Sequence, residues 1–550
     1  MKWLSLVVCL LCPALGAQTP PAEPPARPAA ALPALKKSGA ATQLIVDGKP
    51  FLMLSGELHN SSASNTPYMK PIWEKLAALH LNTVIGTVSW ELMEPVEGRF
   101  DFTLVDDQIR DARAHRMRLV LIWFASYKNA NSSYAPLWVK RDLTRFPRIQ
   151  VKGGKNLEEV TPLGDAAMAA DAKAYRALMR HIRQVDPGHT VVMLQVENET
   201  GMLGDSRDRS SLAEEAWNRP VPAALMNYLK ENRERLLPEL SKVWGAQGYK
   251  ESGTWPEVFG GDAYADEVFM AWHVGRYVNK VAEEGKAELA LPMYANAWLV
   301  QREGQTPGGY PSGGPVSRVM DVWRAAAPKI DLFAPDIYLP DFAGVCASYT
   351  RNGNPLFIPE ARANVPNLFW AVGRHAALGY SPFGIDDLNA GHPLGEAYDV
   401  LGNMMALIGK HATEGSIAAV VQGEEASQTL SLGGYRLEIG FAQRRPRQAP
   451  APVPPEGPGQ QPADTRAFGL ILNTVPDEFL VVGSGLQIAF RAESPGAPIA
   501  AIGWVDEGKF VKGQWVPGRR LNGDETAGGE RILLRGPHIA IQRVKLYRHD

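Results

Sequence analysis

Two glutamates stand where side chains could do chemistry. The stretch LQVENETG at 194–201 sets an apolar run against Glu197, Asn198 and Glu199, and FIPEAR further on presents Glu360 where another apolar segment stops. A pair of opposed carboxylates is the minimum equipment for glycoside hydrolysis: one protonates the departing oxygen while the other attacks or stabilises the anomeric carbon. At a separation of about 5 to 5.5 Å the second carboxylate reaches the sugar itself and configuration is retained. A single glutamate at a strand end is more often an ion-pair partner or a neighbour of a helix N-terminus. The coincidence of two, one after Asn198 and one after Pro359, favours catalysis. Glu197, two residues before Glu199, is expected on the same face of its strand, with a structural and a functional role equally open.

Such a pair needs elements that bring distant segments to one mouth. Short apolar runs alternate with longer helical patterns: FLMLSGEL (51–58), TVIGTVSW (83–90), RLVLIWFA (118–125), VVMLQVEN (191–198), LPMYANAW (291–298), DLFAPDIY (331–338), LFIPEA (356–361) and SPFGID (381–386). Repeated βα units of this kind predict an α/β chain with a (β/α)8 TIM barrel over 41–400, in which Glu199 ends the fourth strand and Glu360 the seventh. Catalytic groups of TIM barrels sit at those C-terminal strand ends. From 401 to 550 the pattern becomes short alternating runs such as YRLEIGFAQ and EFLVVGSG separated by turn residues, which predicts a smaller all-β, sandwich-like domain. The Pro-rich run at 447–464 is expected as an exposed loop within it.

The N-terminus reads MKWLSLVVCLLCPALGA, a lysine and an apolar core broken by Pro13 and followed by small residues, which predicts a signal peptide over 1–17. A Pro/Ala-rich linker over 18–40 follows. Of three cysteines, Cys9 and Cys12 would leave with the signal, and Cys346 alone cannot form an internal disulfide. An exported chain of this size without disulfides fits the periplasm. With 57 basic and 59 acidic residues the net charge is −2, so no long-range field draws the chain to nucleic acid or, after signal removal, to a membrane. The β domain has surface on which a homodimer could form.

The motifs GKPFLMLSGELHN (48–60), LNTVIGTVSWELMEPVEGRFDF (81–102), LQVENETG and FIPEARAN (357–364) make the chain resemble glycoside hydrolase family 35, the β-galactosidases, and within it a bacterial subgroup active on the galactose side chains of xyloglucan. The resemblance implies a retaining, exo-acting β-galactosidase without a cofactor, acting on a galactose-containing oligosaccharide or polysaccharide. It implies Glu199 as general acid/base, Glu360 as nucleophile and Asn198 as the contact to the sugar 2-OH. Tyr338, at the end of the sixth strand, is expected by position either to hydrogen-bond Glu360 or to pack in the wall, the two readings being equally open. The chain departs from the family at Thr87 and Met93, where a Tyr and a His are common, and after His59, where an Arg is common; WFASYKNAN replaces an Ala-Glu-Trp arrangement. Glu57, Lys128, Asn129 and Asp386 are therefore expected near the sugar by position alone.

Aromatic side chains at predicted strand ends, Trp90, Trp123, Tyr127, Trp298 and Trp370, are candidates for stacking on pyranose faces, with wall packing as the alternative for each. Trp298 is the first choice. The eleven histidines lack HxxxH or HxH spacing at strand ends, which predicts no metal site. GGYPSGG (308–314) lacks the Lys of a phosphate loop and is expected as a flexible lid. Two further readings use the same segments: another retaining β-glycosidase, such as a β-glucosidase or arabinosidase, and a non-catalytic carbohydrate-binding barrel.

Overall fold

The computed structural model describes residues 31–441, 464–493 and 496–550. The predicted signal peptide, most of the linker and the Pro-rich loop up to residue 463 lie outside the described residues.

Eight parallel strands close into a barrel: β1 (Met53–Glu57), β2 (Thr83–Ser89), β3 (Arg118–Lys128), β4 (Val191–Asn198), β5 (Met293–Trp298), β6 (Leu332–Ile337), β7 (Ile358–Ala361) and β8 (Gly379–Pro382). Every predicted segment supplies one strand. Their near-continuous apolar character follows from burial on both faces. Inward residues, among them Ile85, Val120, Ile122, Val192, Tyr294, Leu332 and Phe357, form one core, and outward residues such as Leu119, Leu121, Trp123, Leu194 and Val196 join a second, larger core beneath the helices. A three-stranded antiparallel sheet (Ala34–Ser38, Ala41–Val46, Lys49–Phe51) adds Leu44 and Val46 to the inner core, sealing the end of the barrel opposite the strand C-termini.

The helices show why this sequence wraps the barrel. Helix Asp165–Val185 buries Ala167, Asp171, Ala174, Leu178 and Ile182, spaced three or four apart, on the strands. Helix Thr66–Ala78 starts at Asn65, whose side chain accepts from the Tyr68 amide at 2.9 Å, with Pro67 in its first turn. The last barrel helix, Pro393–Glu414, runs across residue 400, so the β region begins at Ile417.

That region holds a six-stranded and a four-stranded antiparallel sheet. Ile471, Phe479, Val481 and Val544 of the first meet Leu437, Ile439, Ile488 and Ile532 of the second, the packing of a sandwich. The outer face of the larger sheet lies on barrel helix Val365–His375, where the Phe369 and Phe468 rings stand 4.6 Å apart. No helix among the described residues is long and apolar enough to cross a membrane.

Candidate active site

Strand alternation would place Glu197 with Glu199, but the backbone does otherwise. Glu197 and Glu199 both adopt left-handed φ, +62° and +45°. Each costs conformational energy that the surroundings must supply, and each breaks the two-residue period. The expectation of a shared face is therefore corrected. Glu197 turns toward the helical layer: its Oε2 accepts from the Tyr127 amide at 2.8 Å and its carboxyl meets Asp171 of helix Asp165–Val185. Asp171 in turn accepts from Trp123 Nε1, Ser126 Oγ and Tyr277 Oη. Burial and the neighbouring Asp171 raise Glu197 well above the usual carboxylate range. Gly201 completes the turn at φ +121°, where a Cβ would stand 2.8 Å from Ser312 O.

Released from that alternation, Asn198 and Glu199 face the barrel mouth. Asn198 Oδ1 accepts from Gln195 Nε2 at 2.8 Å and Asn296 Nδ2 at 3.2 Å, and its Nδ2 donates to Asn129 Oδ1 at 3.0 Å. The Glu199 amide donates to Asn296 Oδ1 at 2.9 Å, fixing the turn from the neighbouring β5. Across the mouth Glu360 on β7 stands in register with Asp336 on β6. Glu199, Asp336 and Glu360 each bring a carboxylate oxygen within 4.8 Å of the other two. Tyr338 Oη donates to Glu360 Oε1 at 2.6 Å.

Glu57, at the end of β1, is buried beside this trio, and Lys128 is its nearest cation, hydrogen-bonded to Asn129 Oδ1 and 4.9 Å over the Phe124 ring. One ammonium among four acids cannot neutralise all of them, so protons must supply the rest. Burial, then the Glu360 charge, raises Glu199 to about 7, opposed by Lys128. Burial raises Glu360 as well, offset first by the Tyr338 hydroxyl and then by Lys128. Asp336 and Glu57 are raised well above the usual range, by burial first and by the Glu360 charge next. Glu57, Glu199, Asp336 and Glu360 thus titrate as a set of interacting acids, with Lys128 as a counter-charge to Glu57, Glu199 and Glu360.

The other anticipated residues divide. Asn129 joins the group through Asn198. Asp386 is occupied elsewhere: its oxygens accept from the His59 amide at 3.2 Å and Ser62 Oγ at 2.7 Å, holding the loop after β1. Trp298, half-buried at the end of β5, is in register with Asp336. Trp90, Trp123 and Tyr127 are wholly buried and belong to the wall, and Trp370 packs against the outer core rather than the mouth. The anticipated lid at 308–314 is pinned instead. Ser312 exchanges both backbone bonds with Met202 at 2.9 and 3.1 Å, Trp323 Nε1 donates to Gly313 O at 3.0 Å, and Tyr310 is fully buried, so the segment is packed as a wall behind the turn.

Sequence reasoning missed Asn296 and Asp336. The signal was present, because each lies two residues before a residue that was singled out, Trp298 and Tyr338, and so shares its strand face.

The closed eight-stranded parallel barrel defines the fold class, and a family of glycoside hydrolases matches its first half. More particularly, residues 43–237 match the glycosyl hydrolases family 35, a span that contains Glu199 but stops short of Glu360, and residues 394–533 match a domain of unknown function, DUF5597. Over 169 residues the chain is 30% identical to a β-galactosidase of Xanthomonas manihotis, an overlap of 30% of this chain and 26% of that one. The match thus spans about a quarter of the length of that relative. Among solved structures, the β-galactosidase of Bacillus circulans sp. alkalophilus shares 15% identity at a TM-score of 0.44, covering 65% of this chain and 57% of that one. The catalytic domain of β-amylase from Paenibacillus polymyxa shares 12% at 0.43, covering 65% and 97%. Both are loose likenesses.

Proposed function

We propose that the chain is a retaining, exo-acting β-galactosidase that removes terminal β-D-galactosyl residues by double displacement, with the galactose side chains of xyloglucan as its substrate. One observation carries the mechanism: Glu199 and Glu360, from β4 and β7, bring carboxylate oxygens within 4.8 Å of each other at the barrel mouth. Oxygens this close suit direct attack on the sugar, the arrangement that goes with retention when the carboxyl groups stand about 5 to 5.5 Å apart.

In the first step a Glu360 oxygen bonds to the anomeric carbon as the bond to the leaving oxygen breaks, and Glu199 gives that oxygen its proton. In the second, Glu199 takes a proton from water, whose oxygen attacks the anomeric carbon and displaces Glu360. The rise of Glu199 to about 7 supports its starting protonated near neutrality. The Tyr338 hydroxyl favours an ionised Glu360, as a nucleophile needs. Asn198, held from three sides, presents its amide toward the mouth where a sugar hydroxyl would lie. The motifs shared with family 35 and the name of the curated relative support galactose.

The test is a panel of aryl β-glycosides followed by galactosylated xyloglucan oligosaccharides, with the released sugar and its first-formed anomer identified by NMR. Release of β-galactose supports the proposal. Preferential cleavage of a glucoside or arabinoside assigns another sugar to the same site, and first-formed α-anomer rejects retention. Export to the periplasm is part of the same proposal, supported by the MKWLSLVVCLLCPALGA leader. N-terminal sequencing of periplasmic protein checks it.

A further inference from the structure

The proposed mechanism uses two acids, and the mouth holds more. Asp336 is the least exposed member of the trio it forms with Glu199 and Glu360. Its Oδ2 accepts from Asn296 Nδ2 at 2.7 Å, whereas its Oδ1 is sealed from solvent without a nitrogen or hydroxyl donor. The carboxyl beside it is Glu199: the two residues bring carboxylate oxygens within 4.8 Å of each other and are in side-chain hydrogen-bond contact. Two buried carboxyl groups bond to each other only through a proton, and two ionised ones would leave Oδ1 orphaned beside a like charge.

The groups facing Asp336 decide which state is favoured. They are Glu57 from β1, Glu199 from β4, Tyr294 from β5, Tyr338 just past the end of β6, Glu360 from β7 and Tyr349 of helix Phe342–Tyr349. Three acids and three phenols surround it, and Lys128, the cation beside Glu57, Glu199 and Glu360, is bonded to Asn129. Asn296 closes the arrangement: its Nδ2 serves Asp336 and Asn198, and its Oδ1 takes the Glu199 amide, so one amide side chain fixes the turn carrying Glu199 and the carboxyl beside it.

We propose that Asp336 remains a neutral carboxylic acid and donates its proton as a hydrogen bond to Glu199, a positioning residue that stabilises the carboxylate Glu199 becomes once its own proton has left. The inference rests on the acid/base reading of Glu199. It gives the site a way to offset burial and the Glu360 charge, both of which make Glu199 a weaker acid. The direction agrees: Asp336 is raised well above the usual carboxylate range, while its bond acts to lower Glu199.

The experiment compares pH profiles of kcat/KM toward an aryl β-galactoside for Asp336→Asn and Asp336→Leu, with thermal melts to certify folding. Asparagine is neutral and keeps a donor, so the basic limb set by Glu199 should stay within about half a unit of the parent enzyme. Leucine removes the donor, so that limb should move up by about one unit. An ionised Asp336 predicts the opposite sign, because removing a like charge makes Glu199 more acidic; a downward shift in Asp336→Asn overturns the proposal. If the leucine variant fails to fold, Asp336→Asn alone decides. A readout free of turnover separates this inference from the assigned activity: protein labelled with [γ-13C]aspartate should show a protonated carboxyl resonance between pH 5 and 8 that vanishes in Asp336→Asn. Its absence from the parent protein overturns the inference even if galactosides are cleaved, and its presence in an enzyme that cleaves none sinks only the assigned activity.

Discussion

The Tyr338 hydroxyl sits 2.6 Å from Glu360 Oε1, one residue beyond the end of β6 and one strand away from the acid it serves. This bond is the main influence holding down a buried carboxyl that desolvation pushes up, ahead of Lys128. Tyr338→Phe removes it without altering the ring, which the Arg362 guanidinium overlies at 5.7 Å. A hydrogen bond to a charged group contributes about 1.5 to 3 kcal/mol, so kcat/KM should fall roughly 10- to 150-fold. The acid limb of the profile should move up, since Glu360 would ionise less readily. An unchanged acid limb would remove Tyr338 from the site's electrostatics.

Glu199→Gln separates acid catalysis from nucleophilic attack. Substrates with poor leaving groups should lose roughly 10²- to 10⁴-fold in rate, the span of general acid/base catalysis. Aryl galactosides with acidic phenols need no proton in the first step and should still form the glycosyl-enzyme, which mass spectrometry would detect. Equal losses for both leaving groups would count against Glu199 as the proton donor.

The parent enzyme's kcat/KM should fall as pH rises through about 7, because Glu199 must be protonated to start and is raised to about 7. Activity below that limb is bounded by the ionisation of Glu360. A profile flat from pH 6 to 9 contradicts the assignment.

Glu197 should respond to charge and donor loss in different ways. Glu197→Gln keeps a donor toward Asp171 and an acceptor for the Tyr127 amide, so folding should be nearly unaffected. Glu197→Ala leaves the Tyr127 amide without its acceptor, at roughly 1 to 3 kcal/mol for an unsatisfied buried group, and takes from Asp171 one of its four side-chain contacts. Melting temperatures of the two variants distinguish a buried positioning role from a dispensable one.

His273 gives a stability prediction away from the site. Burial between Trp255 and Phe269, with Arg276 nearby, lowers it to about 3. The unfolded chain therefore binds a proton that the folded chain refuses, so this contribution is intact above about pH 6.5 and is lost as pH falls toward 3, by at most about 1.4 kcal/mol per unit. His273→Leu should flatten the decline of the melting temperature between pH 6 and 4. An unaltered slope refutes the contribution.

The legible part of the site was what local chemistry writes into a chain. Apolar runs of strand length between helical periods require burial on both faces, and that requirement led to eight barrel strands and to Glu199 and Glu360 at their ends. Sequence-level alternation also contained Asp336 and Asn296, two residues before Tyr338 and Trp298, although only the latter pair drew attention. What alternation cannot carry is a left-handed residue within a strand end. The φ of +62° at Glu197 turned one acid of LQVENETG outward to Asp171 and the other inward to Glu360, a choice imposed by neighbours that are distant in sequence.

The sequence by itself therefore determined the barrel, the β region after it and the two acids that face each other, because hydrophobic period and residue type are local properties. Only the tertiary structure decided how many acids share the mouth, which of them must hold protons and which anticipated contacts, such as Asp386 and the 308–314 loop, were already committed to packing. Those outcomes depend on distance and dielectric between segments that meet only after the barrel has closed.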